Sequence, residues 1–294
     1  MLPLSAPVAV VDIGSNSLHL HVARMGPEGP DTLAVARAAV RLGLLEEGKL
    51  RDEALAGALG ALEEFLAQAK EHGCVAFEAS ATAAVREAAD ADRLIHGAAA
   101  LGIRIQVLSG RQEALATWSG AQRGLGFDEA LVFDLGGRST EIIVGRTDRV
   151  DLLESLPLGH LVVAEWEREA IEEAVASCLR PLQVPTAPRV VGCAGTALTL
   201  GRMAAIARGE RPANRHGLDV SVAELRDLVS RLYGPAPERL PGVDPRRLAS
   251  LPGGAAAVLA LIEQLGLPGF VSSESSLREG LLHTLLEDPE RSPC

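Results

Sequence analysis

The sequence predicts an α/β fold made of two similar mixed units. VVDIGSNS at 10–17 and VFDLGGRST at 132–140 each run an apolar stretch into an aspartate and then into small residues. Asp12 and Asp134 lie too far apart to share one motif, so they read as the same loop in two half-domains. Stretches of period two alternate with stretches of helical period through both halves. The 294 residues suffice for two domains that each bury a core.

The elements follow in order. A β-like run at 8–13 passes through the first loop into Leu18, Leu20 and Val22, which alternate with His19 and His21. That pattern is a hairpin with the loop as its turn. Over 53–70 Leu55, Leu59, Leu62 and Leu66 share one helical face. A helix is expected over about 82–100, between β-like runs at 75–80 and 103–108. The first half thus reads strand, strand, strand, helix, strand, helix, strand. The second begins near 129 and repeats the opening with strands at 130–135, 141–145 and 151–156. Further helices are expected at about 160–178, 196–208, 221–233, 254–265 and 276–287. A β-like run at 189–193 follows Pro181, Pro185 and Pro188, and the proline-rich stretch 234–245 reads as a connecting loop.

Composition narrows the class. With 47% hydrophobic and 23% charged residues the chain is globular. It has neither a membrane-length apolar run nor the features of a signal peptide, which places it in the cytoplasm away from membranes. Cys74, Cys178, Cys193 and Cys294 show no metal-ligand spacing and are expected as reduced thiols. A net charge of −11 argues against nucleic acid as a partner, although a basic cleft can sit on an acidic body. Lys49 and Lys70 are the only lysines among 28 basic residues. Arginine's fork suits phosphate oxygens, but a base-composition bias in the coding DNA would leave the same imbalance.

The two loops carry the parts of a phosphate site. Gly14, Gly136 and Gly137 let backbone N–H groups approach an anion, and Ser15, Ser17, Ser139 and Thr140 add hydroxyls. An aspartate at the strand end suits a hydrated Mg²⁺ that bridges phosphate oxygens, while the same residue elsewhere would merely cap a turn.

The order of blocks resembles the exopolyphosphatase and guanosine pentaphosphate phosphatase (Ppx/GppA) family. VRLG at 40–43, SATAAVREA at 80–88, LSGRQEA at 108–114, DLGGRSTE at 134–141, SLPLGH at 155–160, VVGCAGT at 190–196, PGVDPRRL at 241–248 and LREGLL at 277–282 fall in the family's order. The resemblance spans almost the whole chain. It implies two ribonuclease-H-like domains with a cleft between them, as in actin, sugar kinases and heat-shock ATPases. The expected domains are 1–122, with a terminal helix at about 277–288 packing back on it, and 123–276. The chain stops before the metal-dependent His-Asp domain of longer members, so it looks like the short type.

The same resemblance assigns roles. Glu113 matches the glutamate that activates water, although by residue type alone it reads as a solvated carboxylate at a helix start. Asp12, Asp134 and Glu141 match positions around a Mg²⁺ or Mn²⁺ ion, with Glu141 open to the alternative of facing solvent. Arg86 matches a phosphate-neutralising arginine, against the alternative of an i, i+4 pair with Asp90. Gly14, Ser15, Asn16, Ser17, His19, Gly136, Gly137, Arg138, Ser139, Thr140, Gly195 and Thr196 complete the implied substrate set. A homodimer is the implied assembly. For His216, His72, His96 and His283 surface or packing roles are expected.

Departures from the pattern bear on substrate. Arg138 stands where a third glycine is usual, adding a charge if its φ is negative and strain if positive. Cys193 and Ala194 replace two hydroxyl residues, His160 replaces a small residue, and Gln112 stands where a glutamate is often found. The reading that follows is hydrolysis of terminal phosphate from short linear polyphosphate, with guanosine pentaphosphate as the alternative substrate. A non-catalytic sensor of polyphosphate or an alarmone is the alternative from a different class. A kinase or actin-like ATPase follows from the superfamily alone, and the SGRQEA and SLPLG blocks speak against it.

Overall fold

The computed structural model describes residues 6–27 and 29–289. Cys294 lies outside them. The chain forms two compact units: one runs to Ala116 and resumes at Leu277, and the other is Thr117–Ser276. The division therefore falls inside a helix, ahead of residue 122.

The first unit holds a five-stranded sheet in the order β3-β2-β1-β4-β5. Its strands are β1 (Val8–Ile13), β2 (Ser17–Gly26), β3 (Gly29–Ala39), β4 (Ala76–Ala81) and β5 (Ile105–Val107). β1 pairs antiparallel with β2 and parallel with β4, in the register Asp12 to His19 and Asp12 to Ser80. A central strand covered on both faces must be apolar throughout, hence the unbroken run before Asp12. On one face Ala9, Val11, Ile13, Leu18 and Leu20 pack with Leu55, Leu62 and Phe65 of α1 (Asp52–Glu71) and Leu94 of α3 (Asp92–Ala100). On the other, Val8 and Val10 meet Leu281, Leu282 and Leu285 of α9 (Leu277–Glu287). Gly280 lets the same helix approach Ala116 closely, because a Cβ there would lie 1.9 Å from the Ala116 carbonyl oxygen.

The expected helix over 82–100 is two helices. α2 (Ala83–Glu87) ends where Ala88 turns extended, and α3 starts at Asp92. Tertiary hydrogen bonds outcompete helical ones in between: Ala89 N–H donates to Gly48, and the Asp90 carboxylate accepts from Leu50 N–H.

α4 (Gly110–Leu125) follows β5. Its start is set by a reciprocal cap, since Gln112 N–H donates to Ser109 Oγ at 3.3 Å and Gln112 Oε1 accepts from Ser109 N–H at 2.9 Å.

The second unit holds a six-stranded sheet in the order β10-β11-β9-β6-β7-β8. Its strands are β6 (Glu129–Leu135), β7 (Thr140–Arg146), β8 (Arg149–Leu156), β9 (Val190–Cys193), β10 (Asp219–Ser221) and β11 (Gly269–Ser272). The short β10 and β11 carry too few residues to show a period and were not among the expected strands. Leu131, Phe133 and Leu135 face a core shared with α5 (Arg168–Leu179), α6 (Ala194–Ala207), α7 (Val222–Leu232) and α8 (Leu251–Gln264). The alternate face of β7 meets Trp118 of α4, which lies over Gly145. α5 begins at Arg168 rather than near 160, because the backbone at 160 and 161 is used elsewhere.

Candidate active site

The two loops are the same turn. Gly14 N–H donates to the Ser17 carbonyl at 3.2 Å, and Gly136 N–H donates to the Ser139 carbonyl at 2.9 Å. Each turn closes a hairpin in which, one strand pair back from the turn, an aspartate stands opposite a polar residue: Asp12 opposite His19, and Asp134 opposite Glu141.

A separate block braces each turn. Gly43 N–H and Arg41 N–H donate to the carbonyls of Ser15 and Asn16, at 2.7 and 3.1 Å. His160 N–H and Leu161 N–H donate to the carbonyls of Gly136 and Gly137, at 2.9 and 2.8 Å. These are the VRLG and SLPLGH blocks, and the second bond pair is what keeps 160–161 out of α5. With the carbonyls engaged, the N–H groups of Ser15, Asn16 and Gly137 make no hydrogen bond among the described residues. Several outward amides in one turn form an anion nest.

In the first unit, Glu113 sits in the first turn of α4 and is 8% exposed, so it is not a solvated surface carboxylate. Arg86 Nη1 donates to Glu113 Oε2 at 3.0 Å and to the Leu108 carbonyl at 2.8 Å. Arg86 does not pair with Asp90, which is held by Leu50 and Arg93. Burial raises the Glu113 pKa, and the Arg86 guanidinium opposes that rise. Asp12 carries a buried Oδ1 with no hydrogen-bond partner. Its pKa is pushed up to about 7 by burial first and then by the Glu113 charge, against the pull of Arg278.

In the second unit, Asp134 and Glu141 are both buried, at 9% and 1% exposure, on the same face of neighbouring strands. Glu141 does not face solvent, and its Oε1 accepts from Ser155 Oγ at 2.8 Å. Arg138 takes an ordinary negative φ, so the loop tolerates it without strain. The positive φ falls instead on Ala194, at 63°. Thr140 Oγ1 donates to the Leu158 carbonyl inside the protein. Gly195 and Thr196 open α6, and the Arg247 guanidinium lies so close to Gly195 that a Cβ there would meet Nη2 at 1.8 Å. His160 is buried, bonds Ser250 Oγ through Nδ1 at 2.9 Å, and has its pKa lowered to about 4 by burial and by Arg247.

The residues fit a hard cation in part. An unpartnered, buried carboxylate oxygen on Asp12 is the donor such an ion satisfies. Among the described residues, however, no group of three or more His, Cys, Asp or Glu side chains is placed to hold a metal ion. Mg²⁺ ordinarily takes one or two carboxylates and completes its shell with water and substrate phosphate.

Three residues escaped the sequence reading. Arg37, Arg247 and Arg278 reach site groups from β3, from the PGVDPRRL block and from α9. The last two lie in blocks that the resemblance had already marked, which was the available signal.

Two units of this topology, each with an aspartate at the same strand end and the same braced turn, define a two-domain ribonuclease-H-like protein. The chain belongs to the Ppx/GppA phosphatase family, whose pattern matches residues 21–288. It is similar to an exopolyphosphatase structure from Cytophaga hutchinsonii, with 25% identity and a TM-score of 0.86 over 96% of this chain and 98% of that one. The Ppx/GppA family member of Aquifex aeolicus shares the fold, with a TM-score of 0.82 and 24% identity over 96% and 98% of the two chains. A guanosine-5'-triphosphate,3'-diphosphate pyrophosphatase of Aeromonas hydrophila is 28% identical over 95% of this chain. The chain spans 59% of that relative's length. Among the described residues no helix is long and apolar enough to cross a membrane.

Proposed function

We propose that the protein hydrolyses the terminal phosphoanhydride of linear polyphosphate, with Glu113 as the general base. The observation that carries this reading is the Arg86–Glu113 pair: a carboxylate buried enough to be basic, held in one rotamer by a guanidinium at 3.0 Å. Glu113 would take a proton from the attacking water while Arg86 fixes the carboxylate and offsets phosphate charge. The amides of Ser15, Asn16 and Gly137 and the hydroxyls of Ser17 and Ser139 would hold phosphate oxygens. The reading requires both sets to act on one substrate. Asp12, with Asp134, would hold Mg²⁺ or Mn²⁺, which when bound neutralises phosphate charge.

The Arg247 guanidinium beside Gly195 favours a further phosphate there over an apolar base. Guanosine pentaphosphate is the second reading, favoured by the name of the Aeromonas relative.

The test is phosphate release from short polyphosphate, long polyphosphate and guanosine pentaphosphate in parallel, with Mg²⁺ or Mn²⁺. In Glu113→Gln, hydrolysis should fall by about 10²–10⁴-fold with substrate binding retained. Full activity in that variant removes Glu113 as base. Binding without release in the wild type supports a sensor instead.

A further inference from the structure

The first turn ends in a hydrogen-bond chain that begins on the C-terminal helix. Arg278, in the first turn of α9, places Nε and Nη2 at 2.9 and 2.5 Å from Glu279 Oε1. The remaining terminal nitrogen, Nη1, lies 3.5 Å from His19 Nδ1. The other ring nitrogen, His19 Nε2, is 2.8 Å from Ser17 Oγ. Arg37 Nε donates to the same hydroxyl oxygen at 3.2 Å.

The donor inventory orients this chain. A guanidinium has hydrogens and no acceptor, so the nitrogen that faces it must be the unprotonated one. Nδ1 of His19 therefore accepts, and the ring hydrogen resides on Nε2, which donates to Ser17 Oγ. Ser17 Oγ then accepts twice, from His19 and from Arg37, and its two lone pairs are engaged. Its single O–H has no acceptor among the described residues. Ionised phosphate oxygens accept and do not donate.

We propose that Arg278 fixes the tautomer of His19 and through it turns the Ser17 hydroxyl into a dedicated phosphate donor, which makes Arg278 and His19 positioning residues. Glu279 holds the Arg278 fork in place and lies 3.7 Å from the buried Nδ1 of His21, whose Nε2 is 2.8 Å from Thr32 Oγ1. The C-terminal segment thereby reaches the first turn without touching the ligand itself. His19, expected from sequence as a phosphate contact, acts through Ser17 instead.

The inference rests on the proposed function only in taking phosphate as the ligand of the turn. Its test reads the tautomer directly. Long-range ¹H–¹⁵N correlation of the imidazole nitrogens, with the His19 signals assigned by their loss in His19→Gln, should show one pure tautomer with the hydrogen on Nε2. In Arg278→Met the two tautomers should mix, and KM for polyphosphate should rise about tenfold with kcat within about threefold. Arg278→Lys, which keeps a donor, should restore much of both. Ser17→Ala should raise KM alike, and Ser17→Ala/Arg278→Met should be no worse than Ser17→Ala alone. A wild-type His19 with its hydrogen on Nδ1, or independent additive effects of the two substitutions, overturns the proposal. Should Arg278→Met fail to fold, the wild-type tautomer and the Lys variant still decide. Absence of turnover in the wild type would count against the hydrolase and leave the tautomer result standing.

Discussion

Arg86 and Glu113 form a partly buried pair, 3.0 Å apart, in which one guanidinium also clamps the Leu108 carbonyl that precedes α4. The pair ties the carboxylate, through Arg86, to the end of the strand segment before its own helix, so Glu113 cannot swing away without breaking its bond to Arg86.

The electrostatics of that pair have a sign that kinetics can read. Glu113 is raised by burial, lowered by Arg86 and raised by Glu87. A base must be ionised, so activity should be present above its pKa and lost as pH falls through it. Arg86→Met removes the lowering influence and should move the acidic limb of the kcat profile to higher pH. Glu87→Gln should move it the other way. Limbs that do not move, or that move together, would show that Glu113 does not set the profile.

Gly159 should tolerate no side chain. A Cβ there would lie 2.3 Å from Arg138 N and from the carbonyl carbon and oxygen of Gly137, all backbone atoms of the second turn. Gly159→Ala should cost about 1–3 kcal/mol of stability and displace the turn, with a clear rise in KM. Thermal unfolding beside steady-state kinetics checks both.

Replacing Arg138 with the glycine usual in the family should not relieve strain, because φ is already negative there. Arg138→Gly should lower stability by roughly 0.5–1 kcal/mol through the freer unfolded chain. Loss of the positive charge should also raise KM. A more stable Arg138→Gly protein would contradict the conformation described.

His160 makes stability depend on pH. Its pKa falls to about 4 in the folded protein, against an ordinary value of 6.5, because burial and Arg247 disfavour the cation. Between those values the unfolded chain binds the extra proton, so stability should be full above about pH 6.5 and decline as pH falls toward 4. The loss attributable to this residue is on the order of 3 kcal/mol at most. His160→Asn should flatten the acid side of a denaturation series, and an unchanged slope would place the sensitivity elsewhere.

Legibility differed by the range of the interaction. The hairpins were readable because a two-residue period and a small-residue turn are local facts. The break between α2 and α3 was not, because Gly48 and Leu50 impose it from far along the chain. The late start of α5 has the same origin, since His160 and Leu161 spend their N–H groups on Gly136 and Gly137. Among site residues, Glu113, Asp12 and Arg86 were marked by blocks of sequence. That the Thr140 hydroxyl bonds a carbonyl eighteen positions away was not readable from the local sequence.

The sequence by itself determined the duplicated strand–turn–strand, the two aspartates and the family to which the chain belongs, since these follow from the order of residues along one stretch at a time. Tertiary structure alone decided which polar groups remain available. It bound the Gly136 and Gly137 carbonyls, spent the Thr140 proton, buried Glu113 beside Arg86 and brought Arg278 from the far end of the chain to His19. The physical reason is that a hydrogen bond made across the fold consumes a donor or an acceptor that local sequence would count as free.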